Sequence, residues 1–355
     1  MRAILLAGGQ GTRLRPLTLH TPKPIVPIFD RPFLRYQIDM LRQVPEIDEI
    51  VLSLNYKPGQ IEDVFGDGSD LGIRLRYVVE PTPLGTGGAI KYAAGDANDG
   101  HNGPIVVFNG DVFTSVDLRS VIALHRERAA RATIVLTPVE DPYAYGLVHT
   151  DARGNVLEFL EKPSPGQPLP CNTINAGIYV LEPETLDRIP KDTAFSIERG
   201  YFPSLVKNQE TFIAVVNHAY WLDIGTPDTY RQAHVDIMDG RFVAPPFESG
   251  ADRRCISPTA RIEDGVTIEG PCFIDRDVTI KKGARIGAYS VIGHDCQIGE
   301  GAVVNGAILW PYTRVDREAR LGALMCADHC HFGRNVSVDN GVFGDKSVMT
   351  DYSTT

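Results

Sequence analysis

The sequence predicts a Rossmann-like α/β domain with a largely parallel sheet, followed by a parallel β-solenoid built on a six-residue repeat. Three observations carry this. Short apolar runs alternate with helical stretches over the first 240 residues, an aliphatic residue recurs every six positions from Ile256, and glycines cluster where the first apolar run ends. Buried strands separated by helices are the pattern of α/β folds, whose ligands sit in the loops beyond the carboxyl ends of the strands.

In the first region, residues 3–6, 50–54, 75–79, 105–108 and 133–139 read as strands, and 32–43 and 116–131 as helices. After about Arg241 the pattern changes. Ile256, Ile262, Ile268, Ile274, Ile280, Ile286, Ile292, Ile298 and Val304 are spaced by six, and Trp310 falls on the same count. Four residues after each aliphatic from Ile256 to Ile298 stands a small side chain: Ala260, Val266, Cys272, Val278, Ala284, Ser290, Cys296 and Ala302. An amphipathic helix would need spacings of three and four. The repeat resembles the left-handed parallel β-helix of hexapeptide proteins, in which three hexapeptides make one triangular coil. Residues 256–309 would then form three coils. The register slips near Trp310 and resumes at Val315, Leu321, Phe332, Val338 and Phe343, which predicts further coils with a loop or edge feature. The expected division is a catalytic domain over 1–240, a linker over 241–255 and a β-helix over 256–350.

Five of the six cysteines fall in the repeat region, and Cys272 and Cys296 occupy its small interior slot, where a free thiol packs as a small apolar group. Cys326 and Cys330, with His329 and His331, lack the spacing of a zinc site. Reduced thiols agree with a cytoplasmic setting. The 355 residues carry 35 basic and 45 acidic side chains, a formal charge of −10, which argues against binding to a nucleic acid backbone. No run approaches the roughly 20 apolar residues of a membrane helix, and the opening apolar run is too short for a secretory signal.

Chemistry concentrates at LLAGGQGTRLRPLT (residues 5–18), followed by Pro22-Lys23-Pro24. Glycines let backbone N–H groups approach phosphate oxygens, while arginine and lysine supply a donor fork and a point charge for a polyphosphate. The dinucleotide pattern fails, because Leu14 stands where its third glycine belongs, and the P-loop pattern is absent.

This stretch resembles the L-A-G-G-x-G-T-R-L-x-P-L-T…P-K-P motif of sugar-1-phosphate nucleotidyltransferases, and later segments extend the likeness in order. Within that family the wording resembles most the guanylyltransferases that act on mannose-1-phosphate. The resemblance implies the family's nucleotide-diphospho-sugar transferase fold. It implies nucleotide binding by Leu6, Ala7, Gly8, Gly9, Gly11 and Thr12, with Arg13 and Lys23 as catalytic cations facing the pyrophosphate. Glu80-Pro-Thr-Pro-Leu84-Gly85-Thr86-Gly87-Gly88 resembles the base loop, with Gly85 and Thr86 on the nucleotide; most relatives carry Ala where Gly87 stands. Phe108-Asn109-Gly110-Asp111 would give Asn109 to the nucleotide and Asp111 to Mg²⁺. Tyr145-Gly146, Glu161-Lys162-Pro163 and Asn175-Ala176-Gly177 resemble the sugar-phosphate segments, with Gly146, Glu161, Lys162 and Asn175 as binding residues and Lys162 also catalytic. Trp221-Leu222-Asp223 would supply the second metal carboxylate, Asp223. Ser196-x-Glu198 reads as a helix start.

In the implied reaction a sugar-1-phosphate oxygen attacks the α-phosphorus of a nucleoside triphosphate and pyrophosphate leaves in line. Partners are thus those two substrates, with no nucleic acid or membrane, in a homo-oligomer. Other readings are a glucose-1-phosphate enzyme using UTP, dTTP or ATP, a catalytically silent regulatory homologue, and an added acyltransferase using His294, His329 or His331. The implied roles make a direct expectation: Asp111→Asn and Lys162→Ala should each abolish pyrophosphate release while leaving the circular-dichroism melt close to that of the unsubstituted chain.

Overall fold

A computed structural model describes residues 1–95, 103–161, 163–164, 166–247 and 253–355. In chain order the elements before the solenoid are β1 (Arg2–Leu6), β2 (Pro27–Ile28), β3 (Arg31–Pro32), α1 (Phe33–Arg42), β4 (Glu49–Leu54), α2 (Pro58–Phe65), β5 (Arg74–Val79), α3 (Gly85–Ala94), β6 (Ile105–Asn109), β7 (Val112–Thr114), α4 (Leu118–Glu127), β8 (Ala132–Pro138), β9 (Gly146–Thr150), β10 (Val156–Glu161), β11 (Thr173–Leu181), α5 (Phe202–Lys207), β12 (Phe212–Val216), β13 (Trp221–Asp223) and α6 (Pro227–Asp239). The chain folds into two compact units, Met1–Gln10 with Tyr36–Asp223 and Gly11–Arg35 with Ile224–Thr355.

The first unit is built on the apolar strand β1, which pairs in parallel with both β4 and β6; β5 extends the parallel run beyond β4. On the other side β11 is antiparallel to β6, β8 is antiparallel to β11, β12 runs parallel to β8, and the β9–β10 ribbon joins β11 at Leu147–Ile174. The nine-stranded sheet is therefore mixed rather than largely parallel. The reason lies between β8 and β11, where the described residues form a strand ribbon and no crossover helix, so the chain returns antiparallel. One face of the sheet, with Ile4, Val51, Val107, Ile134 and Tyr179, packs on α3 and on the helical run 197–207. Phe202 from that run stacks on Phe212 at 5.2 Å and meets Tyr179 edge-on. Helix α4 starts where the Asp117 carboxylate accepts the Ser120 N–H, an N-cap of the ordinary kind.

The second unit is dominated by a β-helix of three parallel sheets with six, six and five short strands. Its interior holds the residues of the hexad pattern: Ile274, Ile280, Ile286, Ile292, Ile298 and Val304 on the aliphatic positions, and Val278, Ala284, Cys296 and Ala302 on the small ones. The first coil has a neighbour on one side only, and Ile262 is accordingly 41% exposed. Trp310 departs from the expectation. The residue stacked on Ile292 is Leu309, not Trp310, and the following inward positions are Val315, Leu321, Cys326, Phe332, Val338 and Phe343. The spacing has become six, six, five. No loop interrupts the solenoid; one corner per coil, first at Gly306, is a residue shorter. Trp310 is thereby turned outward, where its Nε1 donates to Tyr230 Oη at 2.9 Å.

Another corner shows what holds the stack. Asp277, Asp295, Tyr312, His329 and Lys346 occupy it in successive coils, all with φ near +60°. That conformation is costly for residues with a Cβ. It aims each N–H at the coil before, as in Tyr312 N–H to His294 O, His329 N–H to Pro311 O and Lys346 N–H to Asp328 O.

Helix α6 is capped by reciprocal bonds between Thr226 and Thr229, with Pro227 in its first turn and Gly240 in the left-handed region at its end. The β2–β3 hairpin belongs to this unit. Its turn residue Phe29, at φ +58°, buries its ring against His234, Phe247 and Phe273. The 11–23 segment also belongs here, and Gly344 abuts Pro16 so closely that a Cβ on it would lie 3.2 Å from the proline Cβ. Among the described residues no helix is long and apolar enough to cross a membrane.

His234 gives this unit a pH dependence. Its Nδ1 faces the Tyr230 carbonyl, which can only accept, and its Nε2 faces the Phe29 N–H, which can only donate. The ring is therefore neutral, and burial pushes its pKa down to about 4. The unfolded chain protonates near the ordinary value of about 6.5, so between those limits the unfolded state binds more protons. The His234 contribution to stability should be full above about pH 6.5 and fall by about 3 kcal/mol as the pH drops to about 4, while Asp328, whose carboxyl burial pushes up to about 6, acts in the opposite direction over the same window. Urea midpoints of the unsubstituted chain and of His234→Gln, measured side by side across that window, should differ by an amount that changes with pH as the His234 contribution does.

Candidate active site

Strands β1, β4, β5 and β6 all deliver their carboxyl ends to one edge of the sheet. Register makes this exact to the residue: Leu6 pairs with Ser53 on one side and Asn109 on the other. Beyond that edge lies a cleft of about 440 Å³ whose wall includes Gly8, Gly9, Thr86, Asn109 and Asp111. Leu6 and Gly85 also line it. Ala7 does not; it is buried, and its N–H donates to Ser53 O at 2.9 Å, continuing the ladder one residue past β1.

The cleft has members that the motif reading did not assign. Asn55 and Glu80 follow directly on β4 and β5, and Gln10 follows the glycines. Glu80 is held firmly: its Oε1 accepts the Ser53 hydroxyl at 3.1 Å and its Oε2 accepts the Leu84 N–H at 3.0 Å. It thereby fixes the 80–84 loop and presents an acidic edge to the cleft.

Next comes α3, whose first turn carries Gly85 and Thr86. The Thr86 hydroxyl donates to Glu198 at 2.8 Å and accepts the Ile197 N–H at 3.1 Å. Glu198 also accepts from Ser196, whose own oxygen caps the following helical turn by accepting the Arg199 N–H. The departure at Gly87 has a local cause. A Cβ there would lie 2.9 Å from Phe195 Cδ1, and Gly87 and Gly88 both donate their N–H to Phe195 O.

The two expected metal carboxylates are brought to neighbouring positions. Asp111 ends the tight turn between β6 and β7, and β13 pairs with β7 so that Asp223 lies opposite Val112. At the centre of that turn, the Gly110 N–H donates to Leu6 O at 3.0 Å. From α1, the buried Gln37 donates through Nε2 to Asn109 O at 2.9 Å and to Val112 O at 2.8 Å. A pair of carboxylates suits a hard cation that fills its remaining positions with water and phosphate oxygens. Among the described residues no group of three or more His, Cys, Asp or Glu side chains is placed to hold a metal.

Two of the expected sugar-phosphate segments, Tyr145-Gly146 and Asn175-Ala176-Gly177, are tied to β13 through Trp221. Asn175 sits in an irregular stretch of β11, where its Oδ1 accepts the Gly177 N–H and its Nδ2 donates to the Tyr179 hydroxyl. Trp221 Nε1 donates to Ala176 O, and Tyr145 meets the Trp221 ring edge-on at 5.9 Å. Gly146 opens β9, paired with Glu161. Lys162 and the side chain of Glu161 lie outside the described residues.

Gly11, Thr12, Arg13 and Lys23 belong to the second unit. Gly11 has φ +61°, and its carbonyl accepts the Thr18 hydroxyl at 2.7 Å. The Arg13 guanidinium lies against Gly225, where a Cβ would come within 2.8 Å of Nη2. In the solenoid, Tyr312 stands between His294 and His329, while His331 Nε2 engages Asp316 at 2.9 Å. Cys326 and Cys330 are buried, and the Cys330 thiol donates to Gly344 O.

Fold and cleft together define an α/β nucleotidyltransferase-type domain followed by a β-helix. The chain belongs to the nucleotidyl transferase family, which it matches over residues 2–240; residues 268–354 match the GMPPB C-terminal domain. It is 36% identical to a mannose-1-phosphate guanylyltransferase of Mycobacterium tuberculosis, over 88% of this chain and 81% of that one. It is 34% identical to a UTP–glucose-1-phosphate uridylyltransferase of Synechocystis, over 94% and 88%. Among solved structures, HddC from Yersinia pseudotuberculosis complexed with GMP-PN is similar at 31% identity and a TM-score of 0.55, covering 66% of this chain and 99% of its own.

Gly177 tests the packing of this wall. It has φ +75°, and a Cβ on it would lie 2.7 Å from Asn109 Nδ2. Gly177→Ala should cost about 1–2 kcal/mol of stability from the left-handed backbone. It should also displace Asn109 and lower turnover by on the order of 100-fold, as misplacement of a positioning group does. Thermal midpoints and steady-state rates measured on the same preparation check both effects.

Proposed function

We propose that the protein transfers a guanylyl group from GTP to mannose-1-phosphate, releasing pyrophosphate and GDP-mannose. The observation that carries the reaction type is the pairing that sets Asp223 opposite Val112, the residue after Asp111, where Asp111 lines a glycine-walled cleft at the carboxyl edge of the sheet. Asp111 and Asp223 would hold Mg²⁺, which would supply positive charge against the repulsion of two polyanions. The other contributions come from the chain's own groups. The glycine loop admits the nucleotide phosphates to backbone N–H donors, Arg13 and Lys23 screen the charge that gathers on pyrophosphate, and Lys162 orients the sugar phosphate. A phosphate monoester has its second pKa near 6, so at neutral pH the attacking oxygen is already mostly ionised and needs no general base.

Support for guanine comes from Glu80. An ionised carboxylate is acceptor-only, and guanine presents two donors, N1–H and the N2 amino group, on one edge, where uracil presents a single N–H between two carbonyls. The guanylyltransferase relative favours the same assignment. The uridylyltransferase relative favours uridylyl transfer to glucose-1-phosphate and is nearly as similar. The β-helix is read as an oligomerising or regulatory module.

The test is pyrophosphate release with Mg²⁺ over a grid of GTP, UTP, dTTP and ATP against mannose-1-phosphate and glucose-1-phosphate. GTP with mannose-1-phosphate should give the highest kcat/KM; a preference for UTP with glucose-1-phosphate would transfer the assignment to the second relative's reaction, and no release with any pair would overturn the reaction class. Glu80→Gln should lower kcat/KM for GTP by roughly 10- to 100-fold, the worth of a charged hydrogen bond, and leave that for UTP less affected.

A further inference from the structure

We infer that Gln37 is a positioning residue for the metal-binding carboxylates, an inference that rests on the nucleotidyl-transfer reading of this site. Gln37 lies on α1, away from the glycine loop in sequence, and is 1% exposed. Its single amide nitrogen donates to the carbonyls of Asn109 and Val112, the residues that bracket Gly110 and Asp111. Both protons of that amide are thus spent on the two ends of the turn that carries Asp111. The orientation is forced, because the flipped amide would aim its oxygen at two carbonyl oxygens.

What the amide gives up is informative. Its Oε1 is buried with no hydrogen-bond partner among the described residues. An unpartnered buried acceptor is a cost, and a leucine of similar size would avoid it. The residue therefore serves through its two donors. They fix the span from Asn109 to Val112, and Val112 is the residue against which Asp223 is registered. One side chain consequently sets the position of the first carboxylate directly and of the second through the strand pair. The Gly110 N–H bond to Leu6 O anchors the middle of the same turn, so the loop is held at three backbone points.

The test uses the full chain and Mn²⁺ alone as the probe, read by electron paramagnetic resonance, so that the measurement is independent of turnover. Gln37→Leu should weaken Mn²⁺ binding by about 10- to 100-fold, the effect of removing a group that orients a metal ligand. In the pyrophosphate assay the same variant should need a correspondingly higher Mg²⁺ concentration for half-maximal rate and recover most of its kcat at saturating Mg²⁺, with KM for the sugar phosphate little changed. A merely structural role would lower the melting midpoint and leave Mn²⁺ affinity intact, which overturns the inference. Should Gln37→Leu fail to fold, Gln37→Asn, one methylene too short to reach both carbonyls, makes the same comparison with the polarity kept. If the unsubstituted chain transfers nucleotide and both foldable variants bind Mn²⁺ as it does, the Gln37 inference fails alone. If the unsubstituted chain binds Mn²⁺ but transfers no nucleotide to any acceptor, the functional reading fails instead.

Discussion

Strand β1 lies between two parallel partners, and the site depends on that pairing. Because Leu6 is matched to Ser53 and to Asn109 by unbroken ladders, the chain leaves three strands at the same height. The glycine loop, the Asn55–Glu80 wall and the Asn109–Asp111 turn then have no freedom to settle elsewhere. A slip of one residue in either ladder would send every side chain of the slipped strand to the opposite face of the sheet and carry the cleft residues with it. The interior position of β1 makes such a slip prohibitive, since Ala3, Ile4 and Leu5 are all fully buried. Precision at the cleft is thus a property of hydrophobic packing well below it.

The second unit reaches order by a different route. Its strands are two or three residues long and could not stand alone; each gains its hydrogen bonds from the coil before and the coil after. Side-chain size does the selecting inside, where alternate bulky and small residues fill a narrow triangular prism. Corners impose the remaining condition, a left-handed residue in every coil, and the sequence meets it with Asp, Tyr, His and Lys as readily as with glycine. Their backbone cost is offset by N–H bonds that no other conformation would aim at the neighbouring coil.

How much of this was legible follows from where the information resides. Spacing by six is a local property, and it disclosed the β-helix directly from Ile256 to Val304. The slip near Trp310 was legible too, but not its form: a corner one residue shorter reads the same as a loop or edge feature, and only the pairing of Leu309 with Ile292 distinguishes them. Asn55 and Glu80 were within reach of the rule that ligands gather at strand ends, but Asn55 did not stand out from ordinary polar loop residues, and Glu80, although it opens the base-loop segment, carried no assigned role. Gln37 carried no signal at all: on α1 it is one polar residue among several, and only the approach of the Asn109–Val112 turn gives its amide a purpose. The antiparallel half of the sheet was equally hidden, because the absence of a crossover helix between β8 and β11 is not a pattern but the lack of one.

The partition of the amino-terminal segment has a consequence for how the molecule is made. Residues 11–35 complete a body whose other part begins at Ile224, and Pro16 finds its neighbour in Gly344, more than three hundred residues later. At ribosomal speeds of about 5–20 residues per second, the segment bearing Arg13 and Lys23 waits roughly 15–65 s for that neighbour to be synthesised. Strands β1, β4, β5 and β6 come early enough to pair long before. The sheet can therefore assemble on the nascent chain while the signature segment stays open, a dwell in which chaperones and proteases meet the charged loop before its own solenoid does.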